Sequence, residues 1–182
     1  MNDQMPSKKK ALKLLLQSGC SPKVVKHCKA VAKVATEIAE ACRKKGLDVD
    51  MKLVEVGALL HDIGRSKTHS VHHAVIGAEI AESQKLPNAI IAIIERHVGG
   101  GITREEAEKL GWPVKDYLPQ TLEEKIVSYA DKLIEGSKRV PIERTIKKFS
   151  KKIPQSSVDG MKRLHEEFSS LIGDFDAHRD TA

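Results

Sequence analysis

The chain has 182 residues, 31 Lys and Arg against 25 Asp and Glu for a net charge of +6, and 40% hydrophobic residues, enough apolar side chain for one domain with a real core. Its apolar runs fall well short of the roughly 20 residues that cross a bilayer, which excludes a membrane-spanning helix. Aromatic residues make up only 3%, so no base-stacking platform is expected.

In chain order, "MNDQMPSKKKALKLLLQSGC" sets lysines before a short apolar segment that Lys13 interrupts. It reads as a helix over 7–18 rather than a secretory signal, and a cytoplasmic protein is expected. "SPKVVKHCKAVAKVATEIAEACRKKG" follows, with Ser21 as N-cap, Pro22 at the first helical position and Gly46 at the end. Val24, Cys28, Val31, Ala35, Ile38 and Cys42 recur at three and four, the stripe of a core-facing helix. The three cysteines, Cys20, Cys28 and Cys42, lack a CxxC spacing, so they read as small buried hydrophobes and not as disulfides or zinc ligands. Further helices are predicted over 50–62, 70–85, 87–97, 103–110, 121–136, 141–152 and 156–172. Thr103 with Glu106 and Thr121 with Glu124 have capping-box spacing, while "VGGGIT" and "GWPVKDYLPQ" are loops. The expected architecture is all-α: one helical-bundle domain over 1–182, with a core at about 21–137, a basic helical extension at about 138–172 and a polar tail, 173–182, that frays.

The polar residues on these apolar faces point to chemistry. His27 shares a face with Val31, Val34 and Ile38; His61 follows Val54 and Ala58; His73 precedes Gly77 and Ile80; His97 follows Ile90 and Ile94; Asp131 lies between Val127 and Ile134. Five helices thus each aim one imidazole or carboxylate inward, and Asp62 adds a sixth group at a helix end. Any one of them alone would read as a hydrogen-bonded core residue. No arginine is expected beside Asp62 or Asp131 on the same face, so unpaired carboxylates would be costly, and divalent metal ions would satisfy all six groups together. His69 and His72 fall in the loop or on the outer face.

The spacing His27, then His61-Asp62-Ile63-Gly64, then Asp131 resembles the HD-domain metal-dependent phosphohydrolase superfamily in its HDIG form, over residues 21–137. The resemblance implies an HD-domain helical bundle with His27, His61, Asp62 and Asp131 as its metal-binding core. "HAVIGAEI" resembles the HxxxG helix of binuclear members and "IIERHVGGG" their further histidine segment, which implies His73 and His97 as ligands of a second metal and Asp62 as the bridge; His72 is the competitor for His73. Where cyclic-dinucleotide members carry a double His and a GYP tripeptide, this chain has "HVGGG", which points away from that substrate.

Nitrogen and oxygen ligands without thiolate suit divalent Fe, Mn, Co, Ni or Zn, two of them in the binuclear case. Two such ions with two aspartates and a hydroxide leave about one positive charge, and a phosphate is the natural guest. The expected function is hydrolysis of a phosphomonoester or phosphodiester of a nucleotide, dinucleotide or RNA end by a metal-activated hydroxide. Asp62, Arg65 and Lys132 are the expected catalytic residues, the two cations neutralising phosphate oxygens, with Lys67, Arg96 and Arg104 as further candidates. Two alternatives stay open: an HD-type diiron oxygenase, and a non-catalytic RNA-binding module with a structural metal. The basic helix 141–152 places Arg144, Lys147, Lys148 and Lys151 on one face, with Lys138, Arg139 and Lys152 nearby; it reads as an ordinary solvated face, with weak nucleic-acid binding as the alternative.

Overall fold

In the computed structural model, which describes residues 4–173 and 175, nine α-helices run along the chain. They are α1 (Lys8–Gln17), α2 (Pro22–Lys44), α3 (Met51–Leu60), α4 (His73–Ser83), α5 (Asn88–Arg96), α6 (Arg104–Leu110), α7 (Leu122–Lys132), α8 (Ile142–Phe149) and α9 (Gln155–Ile172). A 3-10 turn, Ile63–Ser66, follows α3, and a two-residue hairpin of β1 (Ile134–Glu135) and β2 (Lys138–Arg139) separates α7 from α8. Among the described residues no helix is long and apolar enough to cross a membrane. Apart from Phe175, the tail expected to fray after Gly173 lies outside the described residues.

Helix starts follow their capping residues. Ser7, Ser21, Asp50, Thr103 and Thr121 each accept a backbone N–H in the first turn of α1, α2, α3, α6 and α7. The box at Thr103 and Glu106 is complete. At Thr121 only half forms: the Glu124 carboxylate accepts instead from the Gln120 N–H and from Arg96. Other boundaries depart from expectation. The helix predicted to 136 stops at Lys132, because Gly136, at φ +63, turns the chain into the hairpin. The helix predicted to 62 stops at Leu60, and the one predicted to 152 ends at Phe149.

α2 packs on α3 and α7, α3 also on α5 and α7, and α4 lies between α5 and the 3-10 turn. A main core holds Leu15, Ile38, Leu59, Ile94, Val127 and Phe168; a smaller one holds Ala74, Val98, Ile102, Ala107, Trp112 and Tyr117. The cysteines are free and buried, Cys28 and Cys42 without exposure. At Gly64 the 3-10 turn touches the backbone of α4 directly: a Cβ there would collide with the His73 carbonyl oxygen. Glycine at 64 thereby seats the start of α4, and His73 with it, against the end of α3.

Candidate metal centre

His27 projects from α2, His73 is the first residue of α4, and Asp131 sits in the last turn of α7. His61 and His97 are the C-cap residues of α3 and α5, and Asp62 precedes the 3-10 turn. Six side chains from distant points of the sequence meet where these helices converge. His61, Asp62, His73 and His97 are buried; His27 and Asp131, each 17% exposed in the side chain, open the cluster to solvent.

Every imidazole is held by the backbone. Nδ1 of His61, His73 and His97 lies 2.7 Å from the carbonyl oxygen three residues earlier, on Ala58, Ser70 and Ile94. His27 Nδ1 lies 2.8 Å from the Gly136 carbonyl oxygen. A carbonyl only accepts, so Nδ1 carries a proton in all four rings, and in the tautomer this selects each Nε2 presents its lone pair to the centre.

The inner atoms form two overlapping groups. In one, Asp131 Oδ1 is 3.0 Å from His27 Nε2 and 3.4 Å from His61 Nε2, with Asp62 Oδ2 at 3.7 and 3.8 Å from the same two nitrogens. In the other, Asp62 Oδ1 is 3.0 Å from His73 Nε2 and 3.4 Å from His97 Nε2, and those two nitrogens are 3.0 Å apart. His27, His61 and Asp131, and His61, Asp62 and His97, are two sets of possible ligands whose atoms lie within 4.8 Å of one another; His73 touches two atoms of the second. Asp62 faces the two groups with different oxygens, the placement a bridging carboxylate needs.

The donor set fits divalent cations. His61 Nε2 and Asp62 Oδ1 are buried without a hydrogen-bond partner, and Nε2 atoms of His73 and His97 at 3.0 Å are two acceptors face to face. Such an arrangement is costly unless a cation or proton sits between them. Burial pushes the His97 imidazolium down, against the pull of Asp62, to about 4, so this ring is neutral and ligand-ready at physiological pH. Burial also lowers His27, but the hydrogen bond and charge of Asp131 outweigh it and leave the group raised. Burial would lift both aspartates; His61, His73 and His97 around Asp62, and Lys132, His27 and His61 around Asp131, hold them well below the ordinary carboxylate range.

The expectation that no arginine accompanies the aspartates is corrected. Arg65 Nε donates to Asp62 Oδ2 at 3.0 Å, because the 3-10 turn brings residues three apart side by side. Lys132, also buried, donates to Asp131 Oδ2 at 2.7 Å and to the His97 carbonyl oxygen at 2.8 Å. Lys132 takes Asp131 Oδ2 and leaves Oδ1 to His27 and His61, whereas Arg65 shares Asp62 Oδ2 with those two rings and leaves Oδ1 to His73 and His97. Arg65 and Lys132 line the opening above the cluster. Lys67 and Arg104 are exposed and outside it, while Arg96 is committed to Glu124 at 3.0 Å. His72 turns away, its Nε2 3.0 Å from the Leu110 carbonyl oxygen, and exposed His69 stands at the rim.

The basic face is also divided. Arg144 and Lys148 face the opening and pair with Glu135 at 2.8 and 2.7 Å, Lys147 lines a separate groove between α8 and α9, and Arg139 is paired with Glu37. Sequence reasoning missed Phe149, whose half-buried ring lines the opening. It also missed the carbonyl acceptors, although an imidazole three residues after a helical carbonyl is a signal that could have found them.

The sequence matches the HD domain family over residues 24–136. It is 50% identical over 160 residues to an uncharacterised protein of Methanocaldococcus jannaschii, covering 87% of this chain and 95% of that protein. It is 41% identical over 169 residues to a tRNA (cytidine(56)-2'-O)-methyltransferase of Picrophilus torridus, covering 93% of this chain but 48% of that protein, so the chain spans about half of that relative. Among solved structures, the HD domain of the L. monocytogenes phosphodiesterase PgpH, in complex with cyclic-di-AMP, has the same fold: TM-score 0.53 at 20% identity, covering 93% of this chain and 98% of that one.

Proposed function

Because this chain belongs to the HD-domain family, we propose that it is a metal-dependent phosphohydrolase acting on a phosphate ester of a nucleotide or RNA end. In this reading His27, His61 and Asp131 hold one divalent transition-metal ion, His73 and His97 a second, and Asp62 bridges them. The observation that carries it is the set of four Nδ1 to carbonyl contacts, which turns four lone pairs onto two carboxylates.

Bound divalent ions would supply an acidified water and positive charge for the phosphoryl oxygens. The chain's own groups do the rest. Backbone carbonyls fix the rings, so no reorganisation is needed when the site fills. Arg65 and Lys132 orient Asp62 and Asp131 and place positive charge at the opening, where a phosphate arrives. The reaction adds one water across a P–O bond: the water oxygen bonds to phosphorus, the ester P–O bond breaks, and the leaving oxygen takes a proton. A cation-lined mouth favours this over the oxygenase chemistry available to a similar ligand set.

The test is metal content of protein purified without chelator, read by plasma mass spectrometry, beside phosphate release from p-nitrophenyl phosphate, nucleotides and short RNAs. Bound transition metal with release from at least one ester is expected. Metal-loaded protein that cleaves no ester, or that consumes O2 with its substrate, overturns the reading.

A further inference from the structure

Two cavities, of about 440 and 360 Å³, open over the candidate metal centre. Each lies in the range that accepts a whole small organic ligand, roughly 300–1,000 Å³, and exceeds what a phosphoryl group needs. The first reaches His27 and runs out past Lys23 and Arg144; the second reaches His73 and His97 and runs out past Lys152. They meet over Asp131 and Lys132 from below, with Phe149 and Lys148 of α8 from above. A phosphorus held at the metal centre therefore has room on both sides, not one.

Of the six aromatic residues, Trp112, Tyr117, Tyr129, Phe168 and Phe175 are buried. Phe149 is half-buried and belongs to neither apolar core, yet it lines both cavities. An aromatic face between cationic side chains is what a nucleobase stacks on. The charges complete the pattern. Arg144 and Lys148 are occupied by Glu135, but among the described residues neither exposed Lys23 nor exposed Lys152 has an ion-pair partner, and one stands in each cavity. Phe149, Arg144, Lys148 and Lys152 lie beyond residue 136 and Lys23 just before residue 24, the bounds of the stretch that matches the family.

We propose that Phe149, Lys23 and Lys152 are specificity residues that seat two consecutive nucleotide units, one in each cavity, with the phosphodiester between them at the metal centre and Phe149 stacking on a base. This rests on the phosphohydrolase reading and narrows it from phosphate esters in general to a diester within a short oligonucleotide.

Binding tests the inference apart from catalysis. The metal-loaded full chain is titrated calorimetrically with a 5′-phosphorylated diadenosine phosphorothioate, which resists hydrolysis, and with AMP. The dinucleotide is expected to bind at least tenfold more tightly than AMP; Phe149→Ala should weaken it on the order of tenfold, Phe149→Trp should restore it, and Lys23→Ala and Lys152→Ala should each weaken it several-fold while AMP affinity moves less. None of the three variants should change metal content. A hexanucleotide binding no better than the dinucleotide identifies a small dinucleotide as the source of the two units, and tighter binding of the hexamer identifies an RNA end. Equal affinity for AMP and the dinucleotide, or a Phe149→Ala variant that binds the dinucleotide as wild type does, overturns the proposal. Failure of the parent reading looks different: dinucleotide binding stays intact while no ester is cleaved.

Discussion

At the residue scale, the site depends on which ring nitrogen keeps its proton. His61, His73 and His97 solve this alike, each bonding the carbonyl three residues earlier at 2.7 Å. Asp62 is the group both halves of the cluster share, so Asp62→Ala should strip the protein of metal and of hydrolysis together, while exposed Lys33→Ala leaves both at the wild-type level. Plasma mass spectrometry and a phosphatase assay on the same preparations decide it. His73→Ala and His97→Ala should each lower metal content from about two ions towards one and reduce turnover sharply. His72→Ala should not, since its ring is turned to the Leu110 carbonyl; metal loss in that variant would point to the wrong histidine. Lys132 acts through its neighbours: Lys132→Ala leaves Asp131 Oδ2 and the buried His97 carbonyl without their donor. A loss of about 3–5 kcal/mol follows from breaking such a buried pair, seen in denaturant unfolding.

At the element scale, what matters is where helices stop. His61 and His97 are C-cap residues and His73 opens α4, so three of the four imidazoles stand at helix ends, where the backbone turns away and leaves space for a ligand. The 3-10 turn holds two of these ends together through Gly64. Gly64→Ala would push a methyl into the His73 carbonyl; a cost of about 3 kcal/mol and a lowered metal content are expected, from thermal unfolding and metal analysis. Wild-type values for both would show that α4 can move aside. By contrast, Thr103→Ala, which removes the α6 cap and lines neither opening over the candidate ligands, should cost about 1 kcal/mol with metal content unchanged.

At the scale of the whole molecule, the candidate centre joins α2, α3, α4, α5 and α7, and metal binding should therefore stabilise the fold globally. Ions that bind the folded chain and not the unfolded one add about 4 kcal/mol at a thousandfold excess over Kd. Chelation should thus lower the thermal midpoint by several degrees, and re-addition of the metal should restore it; differential scanning calorimetry before and after chelation gives the measurement. An unchanged midpoint would mean that the cluster is satisfied by protons alone. α8 contributes at this scale too, since it closes over the centre although it lies outside the family-matched residues.

The helical periodicity, the caps at Ser21, Thr103 and Thr121, and the inward placement of His27, His61, His73, His97 and Asp131 were legible in the sequence, because local backbone geometry repeats every 3.6 residues and puts such positions on known faces. The end of α7 at Lys132 was not, since an apolar Ile134 continues the helical pattern and only the hairpin at Gly136 breaks it. Nor were the Arg65 and Asp62 pair, which depends on a 3-10 turn in place of an α-turn, or the division of the basic residues between the mouth, Glu135 and the α8–α9 groove. Phe149 shows the difference most clearly: in sequence it is one aromatic in a lysine-rich helix, and only the packing of α8 across the candidate centre sets it beside the candidate ligands. Facing relations within one helix are fixed by covalent geometry and can be read along the chain. Relations between α2, α7 and α8 are fixed by how distant side chains fill space against one another, and only the folded structure contains them.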